Sequence, residues 1–266
     1  MSGQRVTRVR LERLSAELTG RDWAILEMLG RVHLATGSQI GRVHWPDASP
    51  AAERAARRTL KRLTDWRVLA RLERRMGGLG RGSVSWTYAL DVAGQRLAGR
   101  LDGARRPHLP RPSMWAHAVT VSEVYTRLSE ALRQSPAFLG AWQGEPQSWR
   151  RYAGQYGEPQ IIKPDAAVRI DGQDYADLFF LEIDTGSQSR TVVARKLAAY
   201  RAYAATGAEQ AAEGVFPKVM LLTTTAERHA VLVDVLGGQP PESWPLFAAG
   251  TVDDTGRLLL LPEVTP

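Results

Sequence analysis

The sequence has 266 residues, 44% hydrophobic and 24% charged, which is globular in composition and long enough for one large domain or two small ones. It has no cysteine, which excludes disulfides and thiolate metal sites, and no run approaches the ~20 apolar residues of a membrane-spanning helix. The net charge of +7 is unevenly placed: residues 1–112 hold 22 Lys+Arg against 10 Asp+Glu, and the rest hold 13 against 18. That asymmetry predicts a polyanion-binding half joined to a half with another task.

The N-terminal stretch MSGQRVTRVRLERL is basic and lacks an apolar core, so it is not read as a secretory signal, and the expected location is cytoplasmic. Residues 1–18 form a charged arm with loose helical spacing. Thr19 then caps a helix that carries Asp22 in its first turn. A short second helix covers Ser38 to Val43. The third helix opens at Pro50 and runs to about Asp65. Ala52, Ala56, Leu60 and Leu63 share one of its faces, and Arg54, Arg57, Arg58 and Lys61 occupy the opposite arc. A helix with an apolar stripe backed by a basic stripe can pack inward and present charge to double-stranded DNA.

Val68 to Leu90 reads as a β-hairpin with a glycine-rich tip at 77–82. Three helices followed by a basic hairpin make a winged helix-turn-helix over residues 1–99, with Arg74, Arg75 and Arg81 near phosphates or the minor groove. A short helix over 91–98 closes this half. Residues 100–113, rich in Arg, Pro and Gly, read as a linker.

The second domain, 114–266, begins with an amphipathic helix over 113–134. His117 and Glu123 lie within it and are weighed as ligands, with packing or surface roles preferred. Residues 136–159 show no regular period. Ile161 to Ile170 reads as a strand interrupted by Pro164, and Asp171-Gly172 as a turn. Leu178 to Ile183 reads as a central strand that places Glu182 and Asp184 on one side. A helix over 189–205 carries Lys196 and Tyr200, a strand follows at 217–223, and a helix at 226–236. The closing DDTGRLLLLPE reads as a hairpin-like end. The order predicts an α/β core with a mixed sheet.

Phosphodiester hydrolysis needs a cation to polarise phosphate, and Mg²⁺ or Mn²⁺ is typically held by one or two carboxylates. Asp165 and Glu182 are the candidate ligands. Asp184 is a further acid, and Lys196 the candidate for stabilising developing charge. The order of elements with Pro164-Asp165 and Glu182 resembles the restriction-endonuclease-like PD-(D/E)xK superfamily, in which an acid-x-Lys motif follows Pro-Asp. Here Asp184 stands in the lysine position, and Lys196 on the next helix is the substitute the resemblance suggests.

Over nearly the whole chain, the sequence resembles the replication-relaxation family of mobile elements. The resemblance rests on LTGRDWAILEMLGR, MWAHAVTVSEVYTRL, IIKPDAAVRI and above all FLEIDTGSQS followed by ARKLAAYRAY. It implies a DNA-binding protein of plasmid or integrative-element replication, DNA relaxation or mobilisation, with replication or relaxosome proteins as partners. Two other readings stay open: a metal-dependent endonuclease or nickase, and a winged-helix transcriptional regulator.

Overall fold

Side-chain caps divide the first half of the chain into helices. The computed structural model describes residues 6–72, 86–99, 109–154 and 156–260. Helix α1 (Arg8–Glu17) starts where the Thr7 hydroxyl accepts from the Arg10 amide. Helix α2 (Gly20–Val32) starts at a reciprocal capping box between Thr19 and Asp22. A two-residue strand, β1 (Ala35–Thr36), leads into α3 (Gly37–His44), boxed in the same way by Thr36 and Gln39. Ser49 caps α4 (Pro50–Asp65), and Pro50 occupies its first turn, where no amide hydrogen is needed. Strands β2 (Leu69–Leu72) and β3 (Thr87–Leu90) pair antiparallel, and β1 adds on the far side of β3. Helix α5 (Val92–Leu97) follows. The tip expected at 77–82 and residues 100–108 of the expected linker lie outside the described residues, as do Arg74, Arg75 and Arg81.

The core here is made by Ile25, Leu26, Leu29, Leu34, Ile40, Leu63 and Leu69, all essentially inaccessible. Asp22 is also fully buried, a costly position for a carboxylate unless its oxygens are engaged. They are: Thr19 contributes its hydroxyl and amide, and Arg62 on α4 donates from 2.6 Å. The residue that caps α2 therefore also ties it to α4.

Helix α6 (Trp115–Leu132) comes next. The chain divides into two compact units, Met1–Thr126 and Arg127–Pro266, and the division falls inside this helix rather than in the stretch 100–113. In the first unit, the Ser122 hydroxyl donates to the Leu34 carbonyl, and Gln39 donates to Val119 and Glu123. Arg42 closes on Glu123 at 2.7 Å. Glu123 is thus a structural ion-pair partner of α3.

The second unit is built on a five-stranded mixed sheet. In chain order its elements are β4 (Phe138–Gly144), β5 (Arg150–Ala153), β6 (Pro159–Ile162), β7 (Ala166–Asp171), β8 (Ala176–Asp184), α7 (Arg190–Ala204), α8 (Ala208–Glu213), β9 (Lys218–Thr223), α9 (Ala226–Gly237), β10 (Phe247–Thr251) and α10 (Thr255–Leu260). The sheet order is β10-β9-β8-β7-β4, with β10, β9 and β8 parallel and β7 and β4 antiparallel to their neighbours. Strands β5 and β6 form a separate two-stranded ribbon.

Three expectations change. The region 136–159 contains β4, β5 and the start of β6. Gly140 and Gly144 weaken the strand signal of β4, which the neighbouring β7 supplies by pairing. Pro164 does not interrupt one strand; it separates β6 from β7, which belong to different sheets. The stretch expected as a hairpin-like end is helical through Leu260, where α10 packs against both β10 and α6: a Cβ on Gly250 would meet the Leu258 side chain, and one on Gly256 would stand 2.6 Å from that of Ala131.

Phe180 of β8, Val219 and Leu221 of β9, Val193, Leu197 and Tyr200 of α7, and Leu232 of α9 form the core on one face of the sheet. Phe180 is fully buried, with its ring against Tyr200 and Phe216. Phe180→Ala is expected to cost about 3–5 kcal/mol, read as an earlier denaturant midpoint; a loss under about 1 kcal/mol would mean the cavity collapses. Among the described residues, no helix is long and apolar enough to cross a membrane.

Candidate functional site

Two local facts assemble the carboxylates. The parallel pairing of β8 with β9 buries β8 on both faces, so any acid on it must find a partner. The Asp165 amide donates to the Leu181 carbonyl at 2.9 Å, which lays the start of β7 beside β8. The Asp165 carboxylate then accepts from the Ile183 amide at 2.7 Å. Asp165 and Glu182 thereby sit close enough for each to feel the other's charge.

Glu182 is 4% exposed. One of its oxygens accepts from Lys196 Nζ at 2.5 Å, and the other from the Tyr200 hydroxyl at 2.6 Å. Lys196 and Tyr200 are four residues apart on α7 and so share one of its faces. Burial pushes the Glu182 carboxyl up to about 7; Lys196 pulls it down and Asp165 pushes it further up. Burial opposes the Lys196 charge, but Glu182, Asp165 and Asp184 together outweigh it and raise the ammonium above its ordinary value. Burial and the neighbouring Glu182 hold the Tyr200 phenol well above its usual range, so it stays a donor. The result is a carboxylate that changes charge near neutrality, flanked by a fixed cation and a fixed donor.

Asp184 has a different set of partners. One oxygen accepts from the Gly186 amide at 2.7 Å, and the other from Arg228 of α9 at 2.6 Å. Arg228 also donates to the Gln188 carbonyl, and the Thr223 hydroxyl donates to the Asp184 carbonyl. This pair ties the end of β8 and its following loop to α9. Lys196 reaches Glu182, not the end of β8, and Arg190 pairs with Asp234. Of the four candidate residues, Asp165, Glu182 and Lys196 converge, and Asp184 faces Arg228.

Among the described residues, no group of three or more His, Asp or Glu side chains is arranged to hold a metal ion. Carboxylates without nitrogen ligands are the donor type of hard cations that keep most of their waters, and here Lys196 and Tyr200 already engage both oxygens of Glu182.

In the first unit, α4 buries Ala52, Ala56, Leu60 and Leu63 and exposes Arg54, Arg57, Arg58 and Lys61. Two of these cations have partners on their own helix, Arg57 with Glu53 at 3.6 Å and Lys61 with Asp65 at 2.6 Å. Such exposed pairs are worth a few tenths of a kcal/mol and leave the charges available to a stronger anion. Arg71 on β2 stacks over the half-exposed Trp86, adding a further cation on the strand pair.

Two functional neighbours escaped sequence reasoning. Tyr200 is placed there on the helix of Lys196 without a role, although its i+4 spacing from Lys196 carries the signal. Arg228 has no signal at all, since it meets Asp184 across 44 residues. The family described as replication-relaxation matches residues 26–219 of the chain. No curated protein and no solved structure matches it.

Proposed function

The chain belongs to the replication-relaxation family, and from that premise we propose that it is a DNA-binding protein of mobile-element replication, DNA relaxation or mobilisation. The two-faced helix α4 carries this reading. A buried apolar stripe fixes the helix, and four cations stand on its outer face. In this reading, α2, α3 and α4 with the β2–β3 pair act as a winged helix-turn-helix, with α4 in the major groove and the strand pair along the backbone. Arg74, Arg75 and Arg81 would extend that contact. Binding of the full chain to labelled duplex should weaken steeply and log-linearly with salt; no binding at low salt would sink the proposal.

A second reading is supported by the Asp165–Glu182–Lys196 cluster. The second unit would be a PD-(D/E)xK-like nuclease in which Lys196, reaching Glu182 from α7, serves in place of the motif lysine. Asp165 and Glu182 would hold Mg²⁺ or Mn²⁺. When bound, such a cation supplies polarisation of the phosphodiester and acidified water. Lys196 would stabilise charge developing on the phosphate, and Tyr200 would keep Glu182 oriented. Asp184, engaged by Arg228, would support the loop after β8. Supercoiled plasmid should then be nicked in Mg²⁺ or Mn²⁺, with activity lost in Asp165→Ala and in Glu182→Ala. Nicking that survives both substitutions would rule this reading out, and a wild-type chain that leaves plasmid intact would leave the unit as a scaffold.

A further inference from the structure

The β5–β6 ribbon stands apart from the main sheet, and its two faces differ in chemistry. The inner face is fastened. Arg150 donates to Glu209 at 2.7 Å, and Glu209 also takes the Tyr203 hydroxyl. The Tyr152 hydroxyl donates to the Ala199 carbonyl, its ring lies 5.2 Å from that of Tyr203, and Ile162 is buried in the core. The ribbon is therefore held rigidly against α7.

The outer face carries the alternate residues Arg151 and Ala153 on β5 and Pro159 and Ile161 on β6, all exposed, and Lys163 continues it just past the strand end. Lys163 lies over the Trp149 ring at 4.5 Å. Among the described residues, neither Arg151 nor Lys163 has a carboxylate partner, although acids outnumber bases in this half of the chain. An open recess of about 600 Å³ at the ribbon's free end is lined by Arg151, Ala153, Pro159 and Ile161 together with Tyr152 and Gln160 of the other face. Arg151 pairs in register with Ile161, so Lys163 stands two residues further along, about 7 Å at the usual rise. Two residues beyond Lys163 is Asp165.

We propose that this outer face is a second DNA contact, in which Arg151 and Lys163 hold successive backbone phosphates and lead the strand toward Asp165 and Glu182. The argument is charge complementarity: two cations without a carboxylate partner on the exposed face of a ribbon fastened to α7, the second of them two residues before Asp165. The inference rests on the reading that the chain binds DNA.

The test uses the full chain with Arg151→Gln and Lys163→Gln combined. A charge-matched control combines Arg169→Gln and Arg257→Gln, whose arginines already face carboxylates. Duplex affinity is measured against salt by fluorescence anisotropy, with thermal unfolding recorded for each variant. The expected result is a salt slope shallower by nearly two and an affinity about 30-fold lower at ~0.15 M salt for the ribbon variant, with the control near wild type. A wild-type chain that binds duplex, paired with a ribbon variant of unchanged affinity and slope, overturns this inference alone. An equal loss in the control also overturns it. A wild-type chain that binds no duplex overturns both this inference and the reading beneath it. A ribbon variant that melts early is replaced by Arg151→Lys with Lys163→Arg, which keeps the charge and should restore binding; failure to restore it counts against the proposal.

Discussion

Replacing Arg54, Arg57, Arg58 and Lys61 together with glutamine is expected to lower duplex affinity by about 10²–10³-fold at ~0.15 M salt while leaving the fold intact. Each phosphate contact contributes about 0.9 to the slope of log affinity against log salt. Loss of four contacts should therefore flatten that slope by about 3–4. Stability should barely move, because all four side chains are exposed and the two local ion pairs are worth only tenths of a kcal/mol. Salt titration by anisotropy and thermal unfolding read the two effects separately. An unchanged slope with an unchanged melting temperature would move the DNA contact off α4.

Lys196→Met is expected to destabilise the second unit strongly above neutral pH and weakly below it. In the folded chain Glu182 has its pKa raised to about 7 from an ordinary value of 4.5. A carboxyl raised in this way contributes stability that is fully present below pH ~4.5 and lost as pH rises through ~7. Burial thus makes the wild-type chain lose about 3 kcal/mol of stability across that window, after which the curve is flat with respect to this group. Lys196 limits the loss by favouring the charged carboxylate. Without the ammonium, the Glu182 pKa moves higher, and the decline continues past pH 7. The expected cost is about 2 kcal/mol or more at pH 8.5 and under about 1 kcal/mol at pH 5.5, seen as a melting difference between wild type and variant that grows with pH. An equal loss at both pH values would show that Lys196 acts through packing rather than through the charge of Glu182.

The pH dependence bears on the cation reading as well. A proton and a divalent cation compete for the same carboxylate, so cation affinity at Asp165 and Glu182 should fall as pH drops below 7.

Much of the secondary structure was legible because local rules decide it. Thr19, Ser49 and Ser189 each begin a helix through a side-chain bond to the amide three residues on. The two faces of α4 follow from the 3.6-residue period alone. Alternation along β8 places Phe180, Glu182 and Asp184 on one side, and in the fold Phe180 and Glu182 both meet α7. The weaker elements were less readable. Strand β4 carries two glycines and exposed residues, and it is a strand because β7 offers it hydrogen bonds. The closing DDTGRLLLLPE reads as hairpin-like, yet its residues 255–260 fold as α10, whose Leu258 packs on Gly250 of β10.

The acidic motif of the second unit, Pro164-Asp165 followed by Glu182-Ile183-Asp184, shows the same limit. The sequence by itself determined that Glu182 and Asp184 lie on one strand, that Asp165 lies beside another, and that Lys196 follows on a helix, since periodicity and local caps operate over a few residues. Only the tertiary structure decided which acid receives the lysine. Glu182 takes Lys196 and Tyr200 because α7 packs on the face of β8 that carries Phe180, whereas Asp184 meets Arg228 of the first turn of α9. Such partners are chosen by the packing of helices far apart in the chain, and a buried charge makes that choice consequential: each acid must be matched within its own few ångströms or lose its charge.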